Sequence, residues 1–151
     1  SINVIKASKC LLVLMHMRGN PQTMQKEPKY NFAPRDIYYF LKKKIIKCEK
    51  NGIKKNRIII DPGIGFGKTS KHNIQILQNL RIFHKLGCNI LIGLSRKRFI
   101  SDLSKKEEPI DRIPGTIAAN QYALEQGVDI IRVHDVKEAL QAKLIWQALK
   151  K

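Results

Sequence analysis

The sequence has few of the residues that would build a disulfide framework or a metal site. Its three cysteines, Cys10, Cys48 and Cys88, are odd in number and far apart, and no CxxC pair occurs. The four histidines show no HxxxH spacing. We therefore expect neither a structural disulfide nor a zinc site within this chain, and such cysteine usage favours a reducing cytoplasm.

Long apolar runs are also absent. The longest, such as residues 11–15 and 58–60, are far shorter than the roughly 20 apolar residues that a membrane-spanning helix needs. We expect no association with a membrane. The chain begins at Ser1 without the apolar stretch of a secretory signal, so we interpret its start as a truncation of a longer protein.

Acidic residues are scarce, with 12 Asp and Glu against 29 Lys and Arg, which gives a formal net charge of +17. A basic nucleic-acid-binding protein is therefore one alternative, because clustered cations neutralise phosphates. Aromatic residues are not interleaved with the basic ones as base stacking requires. Lysines such as Lys42, Lys43 and Lys47 fall on the polar face of a predicted helix, so we expect a solvated surface and no nucleic-acid partner.

What the sequence does contain is an alternation of apolar strands and amphipathic helices. The predicted strands are residues 10–15, 57–60, 89–94 and 129–133, and continuous apolar runs of this kind are typical of buried parallel strands. The predicted helices are residues 35–50, a segment capped by Ser70 that ends near Gly87, residues 116–126 and residues 137–149. The last helix is expected to turn Ala139, Leu140 and Leu144 inward.

This order of elements predicts an α/β fold. A (β/α)8 barrel needs about 250 residues, so four strand–helix units correspond to half a barrel. An open flavodoxin-like sheet is the alternative architecture. No phosphate-binding fingerprint follows the first strand to support a dinucleotide-binding fold.

Polar clusters follow every predicted strand, and in parallel α/β folds these loops carry the function. Asp61 ends the second strand and is followed by Gly63, Gly65 and Gly67, so a flat ligand can approach its carboxylate closely. An ionised carboxylate there accepts two N–H bonds from a guanidine-like heterocycle edge; alternatively, Asp61 only caps a turn. Phe66 is either a ring against a bound aromatic group or a core side chain.

Cations follow the third and fourth strands. Arg96 and Lys97 are expected beside Asp61, where Lys97 donates to a ligand, forms an ion pair with Asp61, or does both. Arg132 and His134 are two residues apart on the last strand and therefore point the same way, as a clamp for phosphate or diphosphate.

Two further polar residues near these strand ends have structural interpretations. Asp135 points away from the clamp and is interpreted as a helix cap. His16 is interpreted as a satisfied buried histidine rather than a catalyst.

Four segments in this order closely resemble dihydropteroate synthases. They are LMHMRGNPQTMQ at 14–25, DPGIGFGK at 61–68 with His72 and Asn73 beyond it, GLSRK at 93–97, and RVHDV at 132–136. The resemblance implies that residues 1–151 are the C-terminal part of one pterin-binding TIM barrel domain, represented by about four βα units, with the N-terminal half absent. It implies a transferase of folate biosynthesis that joins p-aminobenzoate to 7,8-dihydropterin pyrophosphate and releases diphosphate.

The resemblance also implies roles for individual residues. Asp61 would hold the pterin edge, Lys97 would contact the pterin and the aminobenzoate side, and Arg132 and His134 would hold the diphosphate. The implied catalytic residues are Lys97, Arg132 and His134. The implied substrate-binding residues are Met15, Asp61, Phe66, Gly93, Lys97, Arg132 and His134.

Further expectations concern what this half of the domain lacks. The resemblance implies Mg²⁺ as a cofactor, with its ligand in the missing N-terminal half, and a homodimeric parent protein. The isolated chain is expected to be inactive. Arg98 and Ser101 depart from the family, where serine and glycine are common. The alternative is the pterin-binding module of a folate-dependent methyltransferase, against which SRK and RVHDV argue, since a methyl carrier has no diphosphate to hold.

Overall fold

The structure is a computed structural model and describes residues 2–19 and 28–150. The four strands found in these residues are Leu12–Met15 (β1), Ile58–Asp61 (β2), Asn89–Ile92 (β3) and Ile130–Ile131 (β4). The α-helices in the same residues are Ile2–Ala7 (α1), Ala33–Lys50 (α2), Ser70–Gln78 (α3), Arg98–Leu103 (α4), Ile113–Glu125 (α5) and Val136–Leu149 (α6). Short 3₁₀ segments occur at Lys55–Arg57, Leu80–Leu86 and Pro109–Arg112.

The strands form one parallel sheet in the order β1-β2-β3-β4. Each strand therefore lies next to the strand that follows it in sequence, as consecutive units of a (β/α)8 barrel do. A flavodoxin-like sheet instead reverses its strand order at a switch point. The sequential order excludes that alternative for the described strands.

Burial decreases from the centre of the sheet toward its edges. All four residues of β2 are buried, whereas the edge strands β1 and β4 are mostly half-buried, and Val13 is 45% exposed. The core lies between the sheet and the helices that cover it. Its largest fully buried side chains are Phe83, Ile37, Leu41, Ile53, Ile58, Ile60, Ile64, Ile76, Leu80, Ile90, Ile92 and Leu94.

Helix α2 confirms the predicted amphipathic segment. Its buried face includes Ile37, Leu41, Ile45 and Cys48, which recur at helical spacing. Lys42, Lys43 and Lys47 are exposed on the opposite face. The helix ends before Gly52, whose φ of +82° is a conformation that glycine adopts without strain.

The predicted cap of the second helix is wrong by one residue. Thr69, not Ser70, is the N-cap: its side chain accepts a hydrogen bond from the His72 backbone, and the His72 ring accepts one from the Thr69 backbone. The Ser70 hydroxyl instead donates to the Asp102 carboxylate. After Gln78 the helix gives way to a 3₁₀ segment, and Gly87 ends it as predicted.

The prediction for α6 is also wrong. Leu140 and Leu144 are 50% and 56% exposed, Ala139 is only half-buried, and no residue of α6 is buried among the described residues. The main packing partner of this helix in the described chain is α5, so most of its apolar surface is uncovered. The helix therefore follows the predicted pattern without reaching the core.

Strand β4 is shorter than the predicted strand 129–133. Arg132 still donates its backbone N–H to Ile92, but His134 donates its own to the Ser95 hydroxyl. The chain thus leaves the ladder at the rim, where functional side chains are expected. No helix in the described residues is long and apolar enough to cross a membrane.

Candidate active site

Asp61 is a buried carboxylate at the carboxyl end of the central strand β2, with 3% exposure. Its Oδ1 accepts a hydrogen bond from the Gly63 backbone at 2.7 Å, and its Oδ2 lies 3.8 Å from Nη2 of Arg132. Burial raises the pKa of Asp61, while the Gly63 hydrogen bond and nearby cations oppose the rise. Asp61 therefore closes a turn, as one of the two sequence interpretations states, and also faces a cation. Its contact with a heterocycle edge stays a prediction.

The loop that follows Asp61 can approach the first strand only because of its glycines. Gly63 has a φ of +70°, and a Cβ there would lie 1.9 Å from the carbonyl oxygen of His16. Gly67 has a φ of +65°, and a Cβ there would lie 2.3 Å from the carbonyl oxygen of Arg18. Side chains at these two positions would push the loop off the residues that follow β1.

Asn73 and Tyr30 hold the same loop from outside. The buried Asn73 amide oxygen accepts from the Gly65 backbone at 2.9 Å, and the Tyr30 hydroxyl donates to the Gly67 carbonyl at 2.8 Å. His72 lies edge-on to the Tyr30 ring, with centroids 4.9 Å apart. The His–Asn pair beyond the glycine loop thus caps a helix and supports the loop.

Lys68 is a residue whose importance the sequence interpretation missed. It is 3% exposed, and its Nζ donates to the carbonyls of Gly63 at 2.6 Å and Phe66 at 2.9 Å. It also lies 3.0 Å from Nδ1 of His16, which is buried and satisfied as predicted. The sequence signal that could have indicated its burial was its position between the glycine loop and the start of α3. A lysine at that position precedes the helix and is not part of a solvated helix face.

Lys97 lies above the Phe66 ring instead of forming an ion pair with Asp61. Its Nζ is 4.2 Å from the ring centroid, which is a cation–π contact. Among the described residues, Asp61 forms its ion pair with Arg132 and has none with Lys97. Burial lowers the pKa of Lys97, and Arg132 lowers it further. Phe66 is half-buried beneath this cation, so it is not a core side chain.

Arg132 reaches back across the sheet toward Asp61 over a glycine. A Cβ at Gly93 would lie 3.1 Å from Nη2 of Arg132, so glycine leaves the space that the guanidinium occupies. The Arg132 side chain is 60% exposed and retains N–H groups that face solvent. His134, also exposed, places Nδ1 2.9 Å from the Ser95 hydroxyl. Both residues lie at the rim, each against the end of β3.

Arg96 and Asp135 correct two further predictions. The Arg96 guanidinium forms a two-point ion pair with the Asp135 carboxylate, so Arg96 does not stand beside Asp61. The hydrogen bond from Arg96 holds the pKa of Asp135 below its usual range. Asp135 occupies the N-cap position of α6, but its side chain makes no capping hydrogen bond because it is engaged with Arg96. This pair joins the ends of β3 and β4.

Met15 and a polar groove complete the surroundings of Asp61. Met15 is half-buried and pairs in register with Asp61 on the neighbouring strand. A groove of about 290 Å³ lies between the glycine loop and α4, beside the Asp61 cluster. It is lined by Gly65, Lys68, Thr69, Ser70, Asn73, Lys97, Arg98, Phe99 and Asp102. The part of the first motif at residues 20–25 lies outside the described residues.

Of the predicted site residues, Met15, Asp61, Phe66, Gly93, Lys97 and Arg132 meet around the ends of β1, β2 and β3. His134 lies beside them at the rim, on Ser95. Among the described residues no three His, Cys, Asp or Glu side chains form a group that would hold a metal ion. The exposed Arg132 guanidinium offers N–H donors to an anionic group at this rim.

Comparison with known proteins identifies the family. The family model described as "Pterin binding enzyme" matches residues 1–134, so the chain belongs to the pterin-binding enzymes. It is 42% identical over 135 residues to the dihydropteroate synthase of Escherichia coli (strain K12), a match that covers 89% of this chain and 48% of that protein.

Solved structures agree with this assignment. The chain superposes on dihydropteroate synthase from Stenotrophomonas maltophilia with a TM-score of 0.95 and 38% identity, covering 99% of this chain and 56% of that one. On the Xanthomonas albilineans enzyme in complex with 7,8-dihydropteroate the TM-score is 0.91 with 37% identity, covering 99% and 54%. The chain spans about half the length of these relatives, and its four βα units form half of a TIM barrel, as predicted.

Proposed function

We propose that the protein containing this chain is a dihydropteroate synthase, which condenses p-aminobenzoate with 7,8-dihydropterin pyrophosphate to give dihydropteroate and diphosphate. The observation that carries this proposal is the buried Asp61 carboxylate, set among Lys68, Lys97 and Arg132 at the carboxyl ends of the strands. The naming of the relatives as dihydropteroate synthases supports this activity over the methyltransferase alternative.

Asp61 is assigned to the pterin. A pterin carries an amino-pyrimidine edge whose parallel N–H donors match the two oxygens of a carboxylate. Half-buried Met15 lies in register beside Asp61 and supplies an apolar surface for the pterin ring. Because Asp61 is removed from water, each hydrogen bond to it is stronger than the same bond at an exposed site.

Arg132 and His134 are assigned to the diphosphate. In the reaction the amino nitrogen of p-aminobenzoate forms a bond to the pterin methylene carbon while the carbon–oxygen bond to diphosphate breaks. Diphosphate leaves with the bonding electron pair, and the nitrogen loses a proton. Arg132 and His134 are exposed at the rim, which supports a role in receiving that charge. Leaving-group stabilisation and positioning would then supply the catalysis.

Lys97 and Phe66 are assigned to the side on which p-aminobenzoate enters. The Lys97 ammonium lies above the Phe66 ring. We assign Phe66 to the aromatic ring of p-aminobenzoate and Lys97 to the pterin. The polar groove between the glycine loop and α4 opens beside this pair. Arg98 lines the same groove and is 84% exposed, with Asp102 as its ion-pair partner.

The same proposal extends to the rest of the protein. Mg²⁺ is part of this proposal, with its ligand in the N-terminal half of the barrel. A homodimer is expected, and the exposed apolar residues of α6 support an interaction surface on that side. The three free cysteines suit a cytoplasmic protein.

The test is a condensation assay on purified residues 1–151, alone and with the N-terminal half of the Escherichia coli relative added in trans. We expect formation of dihydropteroate only in the mixture, because this half lacks the strand ends that complete the site. A variant carrying Arg132→Ala provides an inactive control in the same mixture. Absence of product from both preparations, with both halves folded and associated, would refute the assignment.

A further inference from the structure

Lys68 makes an unusual set of contacts beneath the glycine loop. Its ammonium group has three N–H donors, and three acceptors lie within 3.0 Å: the carbonyls of Gly63 and Phe66, and Nδ1 of His16. The carbonyl of His16 lies farther away, at 3.5 Å. Two of the near acceptors are at the two ends of one turn, and the third belongs to the residue after β1.

His16 presents a fixed acceptor to this ammonium group. Burial and the nearby Lys68 charge lower the pKa of His16 to about 3, so its ring is neutral at physiological pH. With Nδ1 accepting from Lys68, the ring proton lies on Nε2. The Phe40 ring packs edge-on against His16 with centroids 4.8 Å apart and holds the imidazole in place.

The Lys68 contacts lead directly to Asp61. Gly63 accepts from Lys68 through its carbonyl and donates through its N–H to Asp61 Oδ1 at 2.7 Å. Phe66, whose carbonyl also accepts from Lys68, donates its N–H to the Gly63 carbonyl at 3.1 Å and carries the ring beneath Lys97. One ammonium group therefore ties together the turn that positions the carboxylate and the aromatic ring.

We propose that Lys68 is a positioning residue that clamps the Gly63–Phe66 turn against His16 and thereby sets Asp61 and Phe66 in the geometry that accepts substrate. This role rests on the proposed function of Asp61 as the pterin ligand. Lys68 itself has no exposed donor left for a substrate, so it acts through the turn and does not contact the reacting atoms.

The charge state of the clamp changes near neutral pH. Burial lowers the pKa of Lys68 to about 7, with Asp61 opposing this and Lys97 adding to it. The other titratable groups that face Lys68 are His16 and His72. In the opened turn the ammonium group returns to water, where its ordinary pKa is 10.5, so between about 7 and 10.5 the closed turn binds fewer protons than the opened one. Closure of the turn is therefore expected to become more favourable as pH rises above about 7.

The first experiment is amide hydrogen exchange on wild type, Lys68→Met and Lys71→Met, the last being a matched control on the exposed face of α3. We expect Lys68→Met to raise exchange at residues 63–67 at least tenfold while β2 and α2 keep their protection. Unchanged exchange in the turn would overturn the clamp. Equal loss of protection in the turn and the core would show a general structural role and would also overturn it.

A second measurement uses the wild-type chain, so that the test survives if Lys68→Met fails to fold. Protection factors at residues 63–67, corrected for the intrinsic pH dependence of exchange, are expected to rise between pH 7 and 9, because opening the turn makes Lys68 take up a proton. Protection that stays constant over this range would contradict the proposal. Where the variant folds, its turn should show no such pH dependence.

Calorimetry with a bare pterin connects the clamp to function, using the reconstituted mixture described above. We expect Lys68→Met to weaken pterin affinity at least tenfold, with diphosphate affinity unchanged and Lys71→Met indistinguishable from wild type. If wild type binds no pterin, the proposed function fails while the exchange data still decide the clamp. If the turn loosens and pterin affinity stays the same, the proposal is overturned even though the function stands.

Discussion

Replacing Asp61 by asparagine isolates the charge of this residue from its shape. The asparagine keeps an oxygen that accepts from the Gly63 backbone, so the turn is expected to persist. What is lost is the negative charge and one acceptor facing the ligand. A hydrogen bond to a charged group contributes about 1.5–3 kcal/mol, which corresponds to a loss of pterin affinity of about 10- to 150-fold.

The free energy of unfolding of Asp61→Asn is expected to rise or to stay unchanged. Burial raises the pKa of Asp61, so the folded state favours the protonated carboxyl group, and the ionised form at neutral pH costs stability. Arg132 loses a partner at 3.8 Å, but its side chain is 60% exposed and water replaces that contact. Asp61→Asn should therefore not lower the free energy of unfolding at pH 7.

The assay is titration calorimetry of a bare pterin, together with denaturant unfolding. Asp129→Asn is the matched control, since Asp129 also accepts a backbone N–H, from Ile90 at 2.8 Å, but precedes β4 at the opposite end of the sheet. That control should bind pterin as wild type does. Pterin affinity of Asp61→Asn within twofold of wild type would refute the assignment of Asp61, and a large loss of stability would refute the argument from burial.

Three further outcomes follow from the geometry. Arg132→Ala should weaken binding of diphosphate or the pyrophosphorylated substrate at least tenfold more than binding of a bare pterin; equal losses in calorimetry would contradict the division of roles. The pKa of His16 is lowered from 6.5 to about 3, so between these pH values the folded state binds fewer protons than the unfolded state. The free energy of unfolding should therefore fall as pH drops from 6.5 to 3, by at most about 5 kcal/mol. A His16→Gln variant with the same acid sensitivity in urea unfolding would refute this. Leu140→Lys with Leu144→Lys should reduce self-association of the chain measured by sedimentation velocity, because both side chains are at least half exposed on α6; unchanged association would place the contact elsewhere.

The order of elements was predictable because the apolar runs are short and continuous and the helical spacing of α2 is regular. Ile37, Leu41, Ile45 and Cys48 are buried as the spacing indicates. Helical spacing did not predict burial in α6, because burial depends on what packs against the helix. Leu140 follows the same spacing but is 50% exposed. Periodicity identifies the apolar face of a helix, while burial depends on what lies opposite that face.

The location of the site was predictable at the level of strand ends, and its internal pairing was not. The carboxyl ends of parallel strands lie at one rim of the sheet, so the order of strands alone brings Asp61, Lys97 and Arg132 together there. The order of strands does not determine which of these side chains contact each other. Which cation meets which carboxylate depends on side-chain reach: Arg132 extends over Gly93 to Asp61, and Arg96 turns to Asp135. The burial of Lys68 depends on the glycine loop folding back over it, which no spacing rule indicates.

The most direct test that Asp61 binds the pterin is a crystal structure of the reconstituted protein with 7,8-dihydropteroate bound. We expect the amino-pyrimidine edge of the ligand to lie within hydrogen-bond distance of the Asp61 carboxylate, at about 2.7–2.9 Å, with Arg132 and His134 at the opening through which diphosphate leaves. A pterin bound with its amino-pyrimidine edge away from Asp61 would contradict it.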